Sequence, residues 1–176
     1  MRMNIEQYLI GHDICQKKVI PVAEIPFREE VVAACATNQC GQYGTCWTCP
    51  PGVGKFEELK KRALAFENAL VFTCKYALED CFDYDGMYAA GKRARKTLFS
   101  IADAMRADGL RFQAMGCGSC DLCEKCTYPD APCRFPDRAL TSVEANGIQV
   151  IELAKNIGIN YNNGENTVTY FSMILF

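Results

Sequence analysis

Nine of the twelve cysteines in this chain fall in two short segments, and that clustering constrains the fold more than any other feature. Cys35, Cys40, Cys46 and Cys49 make up the first group, and Cys117, Cys120, Cys123, Cys126 and Cys133 the second. A disulfide framework is the first reading to exclude. Such frameworks belong to exported domains too small to build a core. Here 49% of 176 residues are apolar, which is ample for a buried core. The opening Met1-Arg2-Met3-Asn4-Ile5-Glu6-Gln7 lacks the apolar stretch of a signal peptide, so a cytoplasmic protein with reduced thiols is expected. Crowded thiols in a reducing compartment point to bound metal.

Charge narrows the partners. Lys and Arg number 19 against 21 Asp and Glu, a net of −2, which argues against nucleic acid or an anionic membrane held by bulk electrostatics. No apolar run approaches the roughly 20 residues needed to span a bilayer. With a single His, imidazole acid–base catalysis has one candidate, His12, which beside Gly11 reads as structural. Neither a G-x-G-x-x-G nor a P-loop nor an H-E-x-x-H is present.

The second segment reads GCGSCDLCEKCTYPDAPCRFP. Cys117, Cys120, Cys123 and Cys126 recur every third residue, and Cys133 follows before Arg134. A C-x2-C step lets one tight turn present two thiolates to one site. Several in series wrap a large inorganic core, the spacing of [4Fe–4S] ferredoxin loops. Zinc also accepts four thiolates, but its usual layout is two separate C-x2-C pairs. Gly116 and Gly118 allow close backbone approach, and Arg134 either offsets cluster charge or sits on the surface. In the first segment Cys46 and Cys49 form a C-x2-C pair, and Cys49-Pro50 matches the Cys-Pro that closes bacterial ferredoxin motifs. These four cysteines hold one centre, or three of them share it with Cys117. Trp47 reads as an anchor for the loop. Cys15, Cys74 and Cys81 lie outside both groups and read as non-ligands.

Periodicity gives a single α/β domain spanning residues 1–176, with a mixed sheet flanked by helices and cysteine loops at about 35–54 and 116–136. Strands are expected over 17–25 (an edge strand, because Pro21 interrupts it), 69–78, 110–115 and 167–176. The last is apolar on both faces, as in a sheet covered on both sides. Helices are expected over 28–36, 55–67, 85–108, 139–145 and 149–156. Gly109 and Gly158 serve as stops, and Glu57–Lys61 and Glu58–Arg62 as i,i+4 pairs. Right-handed crossovers would make strands 69–78 and 110–115 parallel neighbours. That geometry allows the two cysteine loops at one end or at opposite ends. They are expected to face each other because Cys35, Cys40 and Cys49 lack a certain fourth ligand that Cys117 could supply.

Three blocks of residues resemble an uncharacterised prokaryotic family of cysteine-rich proteins described as predicted metal-binding proteins. The first is Cys35, Cys40, Tyr43, Gly44, Cys49, Pro50 and Pro51. The second is Cys120, Cys123, Cys126, Cys133, Arg134 and Pro136. The third is Ser142, Glu144, Ala145 and Gly147-Ile148, after which a similar apolar strand closes the chain. The family pattern does not require Cys46 or Cys117, so this chain departs from it by two added cysteines. The resemblance implies metal binding and supplies no reaction.

The expected function is therefore an iron–sulfur protein with one or two [4Fe–4S] clusters, acting in electron transfer or as a redox subunit with a partner protein. The alternative is a zinc-stabilised adaptor module. In either case Lys92-Arg93-Ala94-Arg95-Lys96 is a solvated helix face or a docking patch for an acidic partner.

Overall fold

The terminal strand organises the molecule. In the computed structural model, which describes residues 4–176, β5 (Thr167–Leu175) lies in the middle of a five-stranded sheet. The other strands are β1 (Gln16–Pro21), β2 (Asn68–Ala77), β3 (Gln113–Gly116) and β4 (Thr141–Ser142), in the order β1-β2-β5-β3-β4. All neighbours are antiparallel except β3 and β4. The α/β class and mixed sheet agree with the sequence reading.

Alternation along the central strands explains why both sheet faces are covered. On one face Ala69, Val71, Met173 and Leu175 pack with Leu153, Ala154 and Ile157 of α4 (Val150–Ile157) and Ala63 of α2 (Phe56–Ala63). On the other, Leu70, Phe72, Cys74 and Ile174 meet Leu98, Ile101 and Met105 of α3 (Tyr84–Ala107). Fully burying each Leu, Ile, Val, Phe or Met among them is worth about 1.5–3 kcal/mol. A short α1 (Glu29–Cys35) lies outside these layers and packs on a 3-10 turn, Glu144–Asn146. No described helix is long and apolar enough to cross a membrane.

The edge position of β1 holds, and Pro21 ends it. Three expectations need correction. Residues 139–145 do not form a helix. Thr141 and Ser142 instead join the sheet, where they satisfy their backbone by pairing with Met115 and Gly116, and Asn146-Gly147 closes the turn behind them. β2 and β3 share a direction but are not neighbours, because β5 inserts between them and pairs antiparallel with both. Neither Glu57–Lys61 nor Glu58–Arg62 is among the ion pairs within 4.0 Å; exposed pairs of this kind contribute little and yield easily to other contacts.

Parallel strands need a crossover of a dozen or more residues, usually a helix. Between β3 and β4 that crossover is the second cysteine segment, residues 117–140, which contains no helix or strand.

Candidate metal centre

The first segment leaves the C-terminal end of α1, which carries Cys35, and turns back on itself before α2. Its turn is closed by Gly44 N–H donating to Pro50 O at 2.9 Å and Tyr43 N–H to Asn38 Oδ1 at 3.0 Å. Cys46 and Cys49 are buried on its inner side. The second segment arrives from β3 and docks on it. Thr48 Oγ accepts from the Cys120 N–H at 3.3 Å, and Trp47 Nε1–H donates to Ala131 O at 3.0 Å. The Trp47 ring also stands edge-on to Tyr128, with centroids 4.9 Å apart. Tyr128 fits because position 52 is glycine: a Cβ there would lie 2.8 Å from its ring and 2.7 Å from Cys46 O. Trp47 thus anchors one loop on the other.

Between the docked segments lies a cavity of about 250 Å3 walled by Cys46, Cys120, Cys123, Cys126 and Cys133. Arg134 also lines it and closes the loop through a hydrogen bond from its guanidinium to Lys125 O at 2.8 Å. Cys35, Cys40 and Cys49 gather behind Cys46, close enough for their charges to act on one another. Cys117 points elsewhere. Its thiol faces Gly91 O on α3 at 3.7 Å and does not line the cavity. Cys15 and Cys81 are exposed away from these groups, Cys74 is buried on β2, and His12 is not part of the cavity wall. Among the described residues, no three His, Cys, Asp or Glu side chains stand at a spacing that would hold one metal ion.

The local electrostatics sort the thiols. Cys46 is pulled down by a hydrogen bond from the Cys49 thiol and by the Thr48 hydroxyl. Cys49, as donor, is pushed up. Burial raises Cys120, opposed by the Leu122 N–H donated to its sulfur. Burial likewise raises Cys35 and pushes Cys117 up to about 11, and the Glu144 carboxylate adds to both. Glu144 itself keeps an accessible surface but stands in a space crowded by protein, and this raises its carboxyl; a hydrogen bond with Ser142 opposes the shift.

One cation serves the second loop from outside. Arg95, with only 14% of its side chain exposed, leaves α3, donates to Asp121 Oδ2 through Nε (3.1 Å) and Nη2 (2.8 Å), and packs against the Gly118 backbone. The basic run therefore does not form one face. Arg95 turns to the loop, Arg93 lies over Tyr76 and Lys92 over Tyr88, each at 4.5 Å. Nothing local in the sequence marks Arg95, Thr48 or Tyr128, because their partners lie far away in the chain.

The chain matches the family model described as "Predicted metal-binding protein (DUF2284)" over residues 18–176. It belongs to that family. No curated protein matches the chain, and no solved structure does. The family is one of predicted metal-binding proteins of unknown function, and its description fits a chain that devotes twelve residues to cysteine.

Proposed function

We propose that the cavity between the two segments holds a polynuclear iron–sulfur centre, of the [4Fe–4S] kind, and that the protein transfers electrons or serves as a redox subunit for a partner protein. The observation that carries this reading is five cysteines around one cavity of about 250 Å3. A water molecule takes about 30 Å3 of liquid, so the space suits a multi-atom core. The serial C-x2-C steps of the second segment favour a cluster over a single zinc, whose usual layout is two separate C-x2-C pairs. Cys120, Cys123, Cys126 and Cys133 supply one thiolate set, with Cys46 opposite them. Cys35, Cys40 and Cys49 lie near one another behind Cys46 and would have to draw together to hold a second centre.

A [4Fe–4S] cluster supplies one-electron transfer at a potential set by charge, solvent access and hydrogen bonds to its sulfurs. The chain's residues govern those factors. Within residues 117–126 no backbone–backbone hydrogen bond forms, which leaves N–H groups free for sulfur, as the Leu122 N–H shows with Cys120. Arg95 brings positive charge to the loop, and Trp47 and Tyr128 cover its rim.

Anaerobic purification tests the proposal. The expected protein is brown, bleaches with dithionite, and contains about four iron and four acid-labile sulfide per occupied centre. A colourless protein with stoichiometric zinc refutes it and supports the adaptor reading.

A further inference from the structure

A second cavity lies beyond a pocket that borders the cysteine site. An open groove of about 790 Å3 runs between the ends of α2 and α3, β3 and the segment before β4. Arg62, Arg106 and Arg111 line it, with Asp137 as its only acidic lining residue. The chain as a whole carries −2, so this positive charge is a local arrangement.

The three guanidinium groups are unequally engaged. Arg106 is paired with Asp103, donates to Asp137 O at 2.8 Å, and lies 5.6 Å from the Phe112 ring. Arg111 is stacked over Phe66 at 4.6 Å, and neither Arg111 nor Arg62 has a carboxylate within 4.0 Å among the described residues. Arg62 reaches only Val53 O, at 3.4 Å. A guanidinium held by its face on an aromatic ring keeps its edge N–H groups free, and that fork matches the oxygens of a carboxylate or phosphate. The groove floor is ordered. Asn146, 1% exposed, donates to Thr141 Oγ1 and to Ser142 O at 2.8 Å and accepts from Gln113 Nε2 at 3.4 Å.

We propose that this groove binds a small organic oxyanion, with Arg111 and Arg62 as its anchoring pair. Its position gives the bound molecule a direction. A pocket of about 550 Å3 shares Arg62, Pro136, Ala139 and Thr141 with the groove, and also reaches Trp47, Thr48 and Cys133. Those last three residues wall the cysteine cavity as well. An anion seated on the arginines therefore extends its other end toward Cys133. That part of the inference rests on reading the cysteine cavity as a redox site; anion binding does not.

Isothermal titration of the full chain with inorganic phosphate and, separately, succinate tests it, with metal content measured on each sample. At least one probe binds saturably with Kd about 1 mM or tighter, and the tighter of the two identifies the headgroup. Arg111→Gln and Arg62→Gln each weaken binding at least tenfold while melting and metal content stay at wild-type values. Arg111→Lys, which keeps the charge but loses the fork, also weakens it. Arg93→Gln, on the other side of α3, changes nothing. No saturable heat with either probe, or unchanged affinity in Arg111→Gln, overturns the proposal. Bound metal with no anion binding sinks this inference alone; anion binding on a colourless protein with stoichiometric zinc sinks the redox reading alone.

Discussion

The two cysteine segments carry the same chemistry on different mechanical foundations. The first is built before anything binds: Cys46 and Cys49 are 4% and 9% exposed, and main-chain bonds from Gly44 to Pro50 and from Val53 to Cys49 tie it to itself. In the second all five cysteines are half-buried, and residues 117–126 make no backbone–backbone hydrogen bond. That loop is held from outside, by Arg95, Thr48 and Trp47. One segment is a wall and the other a wrapper. A bound centre should matter structurally to the wrapper and little to the wall.

The largest effect comes from removing the wrapper's thiols. Cys120→Ser, Cys123→Ser and Cys126→Ser are each expected to lower bound iron by one centre's worth, whereas Cys74→Ser, buried in the core against α3, leaves it unchanged. Iron and sulfide assays read both. Full iron in all three loop variants would remove the distinction between ligand and core cysteines.

The next comparison sets the two added cysteines against each other. Cys46 faces the cavity; Cys117 faces a helix carbonyl. Cys46→Ser is expected to lose iron or shift the visible spectrum, and Cys117→Ser to keep both. The opposite result would make Cys117, rather than Cys46, the added cysteine that serves the centre.

A smaller effect tests how the segments are joined. Trp47→Ala removes the edge-on contact with Tyr128 and the bond to Ala131, at a cost of about 2–3 kcal/mol. Limited proteolysis should then cut within residues 117–135 faster than in wild type, while residues 40–54 stay protected. Equal cutting in both segments would mean that they are equally dependent on each other.

Local pattern accounts for most of the elements and little of the site. The apolar stripe of α3 and the alternation in β2 and β5 sit close to where periodicity puts them, since each is set by residues a few positions apart. Residues 139–145 carry a weak helical pattern, and pairing of Thr141 and Ser142 with β3 overrides it because a strand edge is available. The insertion of β5 between β2 and β3 is a long-range choice that no local window contains. The same holds at the site. The cysteines declare themselves by spacing, but the docking of the two loops depends on Trp47 meeting Ala131 and Tyr128, and on Thr48 meeting Cys120. Five consecutive residues containing four cations look like one face in sequence, yet a helix turns about 100° per residue. Arg95 therefore faces the loop while Arg93 faces Tyr76.

The smallest expected effect is a pH dependence at the foot of the wrapper. Cys117 is pushed up to about 11 from an ordinary value of 9.0, chiefly by burial, with Arg95 opposing and Glu144 reinforcing the shift. Its thiol proton points to Gly91 O, so the neutral form is the one that fits. In the unfolded chain the thiol ionises first; its contribution to stability is therefore complete below the ordinary thiol pKa and is lost as pH rises toward 11. By pH 9.5 the loss is below about 1 kcal/mol. Melting of metal-free wild type and Cys117→Ala from pH 8 to 10.5 reads it: wild type should lose more of its Tm than the variant as pH rises. Parallel curves would mean that Cys117 is not held in its neutral form by the fold, which would reopen it as a candidate ligand.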